Sequence, residues 1–139
     1  MKYCHSTALS TLLASALLAP VVPAIAQQST RTDVCPALLQ HTFLRLQDEK
    51  PQSLCQYRGK VLLVVNTASY CGFTGQYKEL ETLHERYQDK GLVVLGFPSN
   101  DFSQESGSNR EIAAFCENTF GVRFPMFSKS SVKGPQANA

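Results

Sequence analysis

"VLLVVNTASYCGFTGQYKEL", Val61 to Leu80, joins an apolar run to a helically periodic one across a polar turn that contains glycine and a single cysteine. The five Val and Leu residues at its start are apolar on both faces and rich in β-branched side chains. They predict a central strand, covered by layers on both sides and ending at Asn66. Beyond the turn, Thr74 is placed to cap a helix running through Lys90, with Tyr77, Leu80, Leu83, His84 and Tyr87 on one face. Gly91 stops that helix, and "LVVLGF" (92–97) predicts a second buried strand, broken by Pro98. Strand, helix and strand in this order imply an α/β domain whose two strands pair in parallel through a right-handed crossover.

Working outward, Ser108 and Glu111 have the spacing of a capping box, so "SNREIAAFCENTF" (108–120) reads as a second helix. Its apolar face includes Ile112, Phe115, Cys116 and Phe120. "VRFPMF" (122–127) predicts a third short strand, with Pro125 best suited to an edge. Upstream, "HTFLRL" (41–46) alternates so that Thr42, Leu44 and Leu46 share a side. The turn-forming "DEKP" and then "QSLCQY" follow, which together read as a hairpin. No internal repeat or low-complexity segment interrupts the chain.

The 139 residues, 43% of them hydrophobic, suffice for one small domain and its core. Thirteen basic and eleven acidic residues give a net charge of +2, scattered without runs, so charge marks no nucleic-acid surface. The first residues have the form of a secretory signal peptide: Lys2, an uncharged Leu- and Ala-rich stretch, and the small-x-small triplet Ala24, Ile25, Ala26. Pro20 and Pro23 argue against a membrane-spanning helix there. The expected organisation is a signal peptide over 1–26, an N-terminal segment over 27–40 and the folded domain over 41–139. A periplasmic or secreted destination follows.

Cleavage removes Cys4 and leaves Cys35, Cys55, Cys71 and Cys116. Ligands and catalytic groups of open α/β sheets gather beyond the carboxyl ends of strands, which is where Cys71 falls. The helix N-terminus that follows favours thiolate over thiol and makes the sulfur nucleophilic. Elsewhere a lone cysteine is usually a small buried apolar residue, but a polar glycine-bearing turn is a poor place for that. Gly72, Phe73 and Thr74 follow it, so there is no CxxC pair and disulfide reduction is not its expected chemistry. Attack on a small electrophile such as a peroxide, with rescue by a group elsewhere, remains.

These residues carry a resemblance. "KVLLVVNTASYCGFTGQYKELETLHERYQDKGLVVLGFPSNDF" (60–102), "GSNREIAAFC" (107–116) and "FGVRFPMFSKSSVKG" (120–134) resemble the glutathione peroxidases in order and spacing. The likeness runs from about His41 to Lys133. It implies a thioredoxin-like fold and reduction of hydrogen peroxide and organic hydroperoxides without metal, haem or flavin. Cys71 matches the family's peroxidatic position, and Cys116 matches the resolving cysteine of its thioredoxin-dependent members. The implied partners are a hydroperoxide and a thioredoxin-like or glutathione reductant, in a response to oxidative stress. The second helix would have to shift or unwind to bring the two sulfurs together.

Two departures from the family pattern stand out. Asp101 in "FPSNDF" occupies the place of a glutamine that helps to activate the thiolate. An ionised Asp beside the sulfur would instead raise the thiol pKa, so it must point away, be protonated or act through water; an "ND" turn pair is the plain alternative. The chain also contains no tryptophan and therefore lacks the family's Trp-Asn pair. By the resemblance, the C-terminal strands and final helix are missing, which would expose a strand edge and apolar patches. Reduced activity and a catalytically silent fragment or scaffold are both compatible with that.

Asn66 and Gln76 flank the reacting turn and can hydrogen-bond within it; otherwise they are strand end and helix surface. Cys35 and Cys55, twenty residues apart, read as a structural disulfide in an oxidising compartment, worth about 3 kcal/mol by loop closure. Two free buried thiols and a metal site are the alternatives, the last without supporting CxxC or HxxxH spacing. His41 and His84 carry no catalytic signal, and Arg123 reads as a solvated charge unless it lies near the site. A copper- or disulfide-handling protein on the same fold is the remaining rival, and the missing CxxC counts against it.

Overall fold

The computed structural model describes residues 34–138. The proposed signal peptide, its cleavage site and Cys4 lie outside them. Strands β1 (Thr42–Leu44) and β2 (Pro51–Ser53) form the antiparallel hairpin, while β3 (Val61–Thr67) and β4 (Leu92–Pro98) pair in parallel. Helix α1 (Gln76–Tyr87) joins β3 to β4, and α2 (Asn109–Phe120) follows. Short 3-10 turns occupy Ala37–Leu39, Leu54–Tyr57, Gln88–Lys90 and Gly134–Gln136.

The parallel β-α-β unit forms as its sequence predicts, and alternation along the two strands builds two cores. Leu63, Val65 and Val94 face the helices and pack with Tyr77, Ile112, Cys116, Phe124 and Met126. Leu62, Val93, Leu95 and Phe97 face the other way, against Phe43, Leu54, Tyr57 and Phe127. The central strand, however, is β4 rather than β3. Val94 and Leu95 are fully buried, whereas Val61 and Val64 of β3 are 69% and 57% exposed. The reason is edge pairing: among the described residues β3 is paired only with β4, while β4 also exchanges hydrogen bonds with the segment Pro125–Phe127.

That segment is the expected third strand, reduced to two isolated bridges, Gly96 to Met126 and Arg45 to Phe127. It still joins β4 to the hairpin. Gly96 N–H donates to the Pro125 carbonyl and Phe127 N–H to the Gly96 carbonyl, while Leu46 N–H donates to Met126. Pro125 has no N–H of its own and serves only as an acceptor. Gly96 is required here, because a Cβ would collide with the Met126 sulfur and with Phe124.

In the hairpin the inward face of β1 is the one that carries Phe43, not the one shared by Thr42 and Leu44. Phe43 turns inward, with its ring 5.0 Å from that of Phe97 and 5.7 Å from that of Phe127, both edge-on. Thr42 and Leu44 are exposed, and only Leu46, beyond the strand, is buried. Phe43 carries the largest apolar surface of the strand, so its burial decides the register. "LCQY" leaves the hairpin as a 3-10 turn that buries Leu54 and Tyr57.

Helix α1 ends at Tyr87, short of the expected Lys90, and the Gln88–Lys90 3-10 turn carries the chain to Gly91, which takes a left-handed φ of 94°; the Ser108–Glu111 capping box opens α2 as expected. The segment after α2 is pinned to α1 by Glu81. Its carboxylate accepts from the Arg123 and Phe124 backbone N–H groups, at 2.7 and 3.1 Å, and from Arg123 Nε. Arg123 also pairs with Glu85, so its role is to anchor that segment. His84 is buried against the edge of Phe124 and faces Val94 N–H through Nδ1. Burial lowers its pKa, as suits a packing residue.

A disulfide joins Cys35 to Cys55, whose Cα atoms are 5.4 Å apart. It fastens the Ala37–Leu39 turn to the Leu54–Tyr57 turn beneath the hairpin, as expected from the cysteine pattern.

Candidate active site

β3 ends at Thr67, and the chain then turns through residues 68–75 before α1 begins. Thr74 does not cap the helix; Gly75 occupies that position. The Thr74 hydroxyl instead holds the turn closed. Its Oγ accepts from Cys71 N–H at 2.9 Å and lies 2.6 Å from the Cys71 carbonyl and 3.0 Å from that of Ala68. Competition between hydroxyl and backbone partners favours such local closures in Ser and Thr.

The closed turn leaves the Cys71 sulfur half-buried, with Phe73 N–H directed at it from 3.5 Å. The first N–H groups of α1 point elsewhere: those of Gln76, Tyr77 and Lys78 donate to the carbonyls of Phe73, Thr74 and Gly75. The sulfur opens onto a pocket of about 250 Å³ lined by Asn66, Thr67, Cys71, Thr74, Gln76 and Tyr77, among others. Three candidate site residues, Asn66, Cys71 and Gln76, are thus brought to one cavity. Tyr70 and Phe73 stand exposed beside it.

Asp101 is not among the residues lining that cavity. Its carboxylate accepts from Val132 N–H at 2.6 Å, from Lys133 N–H at 3.0 Å and from the Ser131 hydroxyl at 3.2 Å. The Val132 backbone bond, ahead of the others, holds its pKa below the usual carboxylate range. Asp101 therefore fastens the segment 131–133. Cys116 lies elsewhere again, 2% exposed on the inner face of α2 with Tyr77 and Ile112. Burial pushes its thiol pKa up, the Tyr77 hydroxyl draws it down, and the charge of Glu105 adds to the rise.

Glu105 and Ser69 carry no signal in the sequence that marks them as site residues. Glu105 is 1% exposed, and its Oε2 accepts from both Ser69 N–H and the Ser69 hydroxyl, at 2.7 and 2.8 Å. Glu105 N–H in turn donates to Asn100 Oδ1, and Tyr70 N–H to the Gln104 carbonyl. The loop 99–108 is thereby locked to the cysteine turn. A single acidic residue in "FSQESGSN" reads as solvated, because nothing local reveals that tertiary packing buries it. Among the described residues, no three His, Cys, Asp or Glu side chains converge to hold a metal ion.

Comparison with known proteins agrees with this arrangement. Residues 40–139 match the family model for glutathione peroxidase. The glutathione peroxidase homolog BsaA of Halalkalibacterium halodurans is 54% identical over 100 residues, covering 70% of this chain and 64% of that protein. Glutathione peroxidase-like peroxiredoxin 2 of Saccharomyces cerevisiae is 52% identical over 99 residues, covering 69% and 61%. A crystal structure of Trgpx in apo form superposes with a TM-score of 0.53 at 34% identity, over 74% of this chain and 59% of that one. A thioredoxin family thiol:disulfide interchange protein from Chlorobium tepidum, at 16% identity and a TM-score of 0.52 over 63% of this chain and 56% of its own, shares the fold alone. The chain spans just under two thirds of the length of these two relatives. On this sequence match and this thioredoxin-like fold, the chain belongs to the glutathione peroxidase family.

Proposed function

We propose that this protein is a thiol peroxidase in which Cys71 reduces hydrogen peroxide and organic hydroperoxides. The observation that carries the reading is the Cys71 sulfur on a pocket beside its turn, with the Phe73 N–H directed at it. The thiolate attacks one peroxide oxygen, the O–O bond breaks, and water or an alcohol leaves as Cys71 becomes a sulfenic acid. Asn66 and Gln76, which line the same cavity, orient the peroxide in this reading. Asp101 contributes by holding the segment 131–133.

Cys116 is the proposed resolving thiol. Its burial on α2 requires local opening of that helix before the sulfurs can bond. The resulting disulfide is reopened by a thioredoxin-like or glutathione reductant, in a response to oxidative stress. Export after removal of residues 1–26 places the enzyme in the periplasm or outside the cell, a setting in which the Cys35–Cys55 disulfide persists. Among the described residues, no helix is long and apolar enough to cross a membrane.

The test is the intact mass of the reduced protein after one equivalent of hydroperoxide, with non-reducing peptide mapping. Loss of two hydrogens and a Cys71–Cys116 crosslink is expected. A stable gain of oxygen on Cys71 alone would remove Cys116 from the cycle. No change at either sulfur would leave the chain a silent member of its family.

A further inference from the structure

Helix α2 is fastened firmly at its N-terminus. The Ser108 hydroxyl accepts from Glu111 N–H, and the Glu111 carboxylate accepts in return from Ser108 N–H and from its hydroxyl, at 2.8 and 2.7 Å. Asn109 ties the first turn to two distant segments: its Nδ2 donates to Glu49 Oε1 at 2.7 Å, and its Oδ1 accepts from Lys129 N–H at 2.8 Å. The last turn, residues 117–120, is weaker by composition. It carries no basic residue, and the exposed Glu117 puts a negative charge at the negative end of the helix dipole. Asn118 and Thr119, both exposed, are poor helix formers.

Cys116 stands at the start of that turn, and its backbone belongs to the closure of the helix. Gly121 takes a left-handed φ of 66° and donates its N–H to the Glu117 carbonyl at 2.9 Å, while Val122 N–H reaches the Cys116 carbonyl at 3.2 Å. The next two N–H groups, those of Arg123 and Phe124, are the ones that the Glu81 carboxylate holds. Glu81 therefore keeps Val122 in place against the Cys116 carbonyl. On the inner side, the Phe120 ring packs 5.4 Å from that of Tyr77, a residue that also lines the Cys71 pocket. The last turn thus rests against a side chain shared with the candidate active site.

We propose that the last turn of α2 is the moving part of the catalytic cycle: it opens from Gly121 back to Cys116 while the first turn stays fixed, and Glu81 is the latch that sets how often it opens. The proposal rests on the reading of Cys116 as the resolving thiol. Opening from the C-terminal end releases Cys116 after a single turn, whereas opening from the other end must first undo the capping box and both Asn109 bonds. With the turn open, the Cys116 thiol attacks the sulfur of the Cys71 sulfenic acid. The S–S bond forms, the S–O bond breaks, and the departing hydroxide takes the thiol proton and leaves as water. No further oxidant or reductant enters the step. Glu81 acts through the backbone at 123–124 and is a positioning residue.

The test is rapid-quench mass spectrometry of the reduced protein with hydrogen peroxide, measuring formation of the Cys71 sulfenic acid and of the Cys71–Cys116 disulfide in the same samples. The ratio of the disulfide rate to the sulfenic rate follows the population of the open turn. In Gly121→Ala that ratio is expected to rise about fivefold, since a side chain at this φ strains the closed end while the added methyl meets no atom within 4 Å. Glu81→Gln, which weakens the charged latch, is expected to raise it by about as much. Asn118→Ala strengthens the last turn and should lower it about threefold. Ser108→Ala loosens the opposite end and should leave it unchanged. A general loss of stability would move Gly121→Ala and Ser108→Ala alike, so equal rises in the two overturn the proposal. An unchanged or lowered ratio in Gly121→Ala overturns it as well, and that variant decides should Glu81→Gln fail to fold. An unchanged ratio in folded Glu81→Gln overturns the latch. Should the unaltered protein form sulfenic acid but never the disulfide, the reading of Cys116 fails first and this proposal with it.

Discussion

Glu105 holds Ser69 through a single carboxylate oxygen, which accepts the Ser69 N–H at 2.7 Å and its hydroxyl at 2.8 Å. Ser69 stands two residues before Cys71, so a buried charge in the loop 99–108 sets the path of the backbone that presents the candidate nucleophile. A hydrogen bond to a charged acceptor is worth about 1.5–3 kcal/mol, and its loss in a buried site is felt in full.

Ser69→Ala removes one of those two donors and leaves the N–H in place. It is expected to lower stability by about 1.5–3 kcal/mol and to slow oxidation of Cys71 by peroxide. Thermal unfolding and trapping of the sulfenic acid measure the two effects. Unaltered stability would mean that the N–H alone holds the carboxylate.

Thr74→Val keeps the shape of the side chain while deleting the oxygen that closes the Cys71 turn. Cys71 N–H then loses its acceptor. A cost of about 1 kcal/mol is expected, together with a severalfold slower reaction of Cys71 with hydrogen peroxide. Thr74→Ser should restore most of the rate, and failure to do so would shift the weight from the hydroxyl to the methyl group.

Asp101 makes a pH-dependent contribution whose sign follows from its lowered pKa. A carboxylate with a folded-state pKa below its unfolded value stabilises the fold above the unfolded value, near 3.8, and that contribution is lost as pH falls through the folded one. The melting temperature of Asp101→Asn should therefore lie below that of the unaltered protein at neutral pH, and the gap should close in acid. A gap that persists well below pH 3.8 would assign the effect to geometry rather than charge.

The Cys35–Cys55 crosslink closes a loop with a sequence separation of 20. Cys35→Ser with Cys55→Ser is expected to cost about 3 kcal/mol by loop-closure entropy, a fall in melting temperature on the order of 10–20 °C for a domain of this size. Reduction of the unaltered protein should give a similar fall, read by calorimetry with and without reductant.

Gly96→Ala places a methyl group against the Met126 sulfur and Phe124. About 1–3 kcal/mol of destabilisation is expected from the overpacking. Combining it with Met126→Ala should recover part of the loss, and strict additivity of the two would deny the contact.

Local pattern determined much of this protein. Hydrophobic period and helix stops place β3, α1, β4 and α2, the capping box Ser108–Glu111 forms as spelled, and Cys71 falls at a strand-to-helix turn, because each depends on neighbours within a few residues. The even cysteine pattern likewise pointed to Cys35 and Cys55. What only the tertiary structure decided are matters of long-range choice. β4 is central because the segment near Met126 docks on its far edge, and Phe43 rather than Leu44 turns inward because Phe97 and Phe127 wait there. Asp101 binds backbone thirty residues downstream, and Glu105 lies buried against Ser69. A carboxylate's partner is set by which segments pack around it, and no local stretch of sequence encodes that.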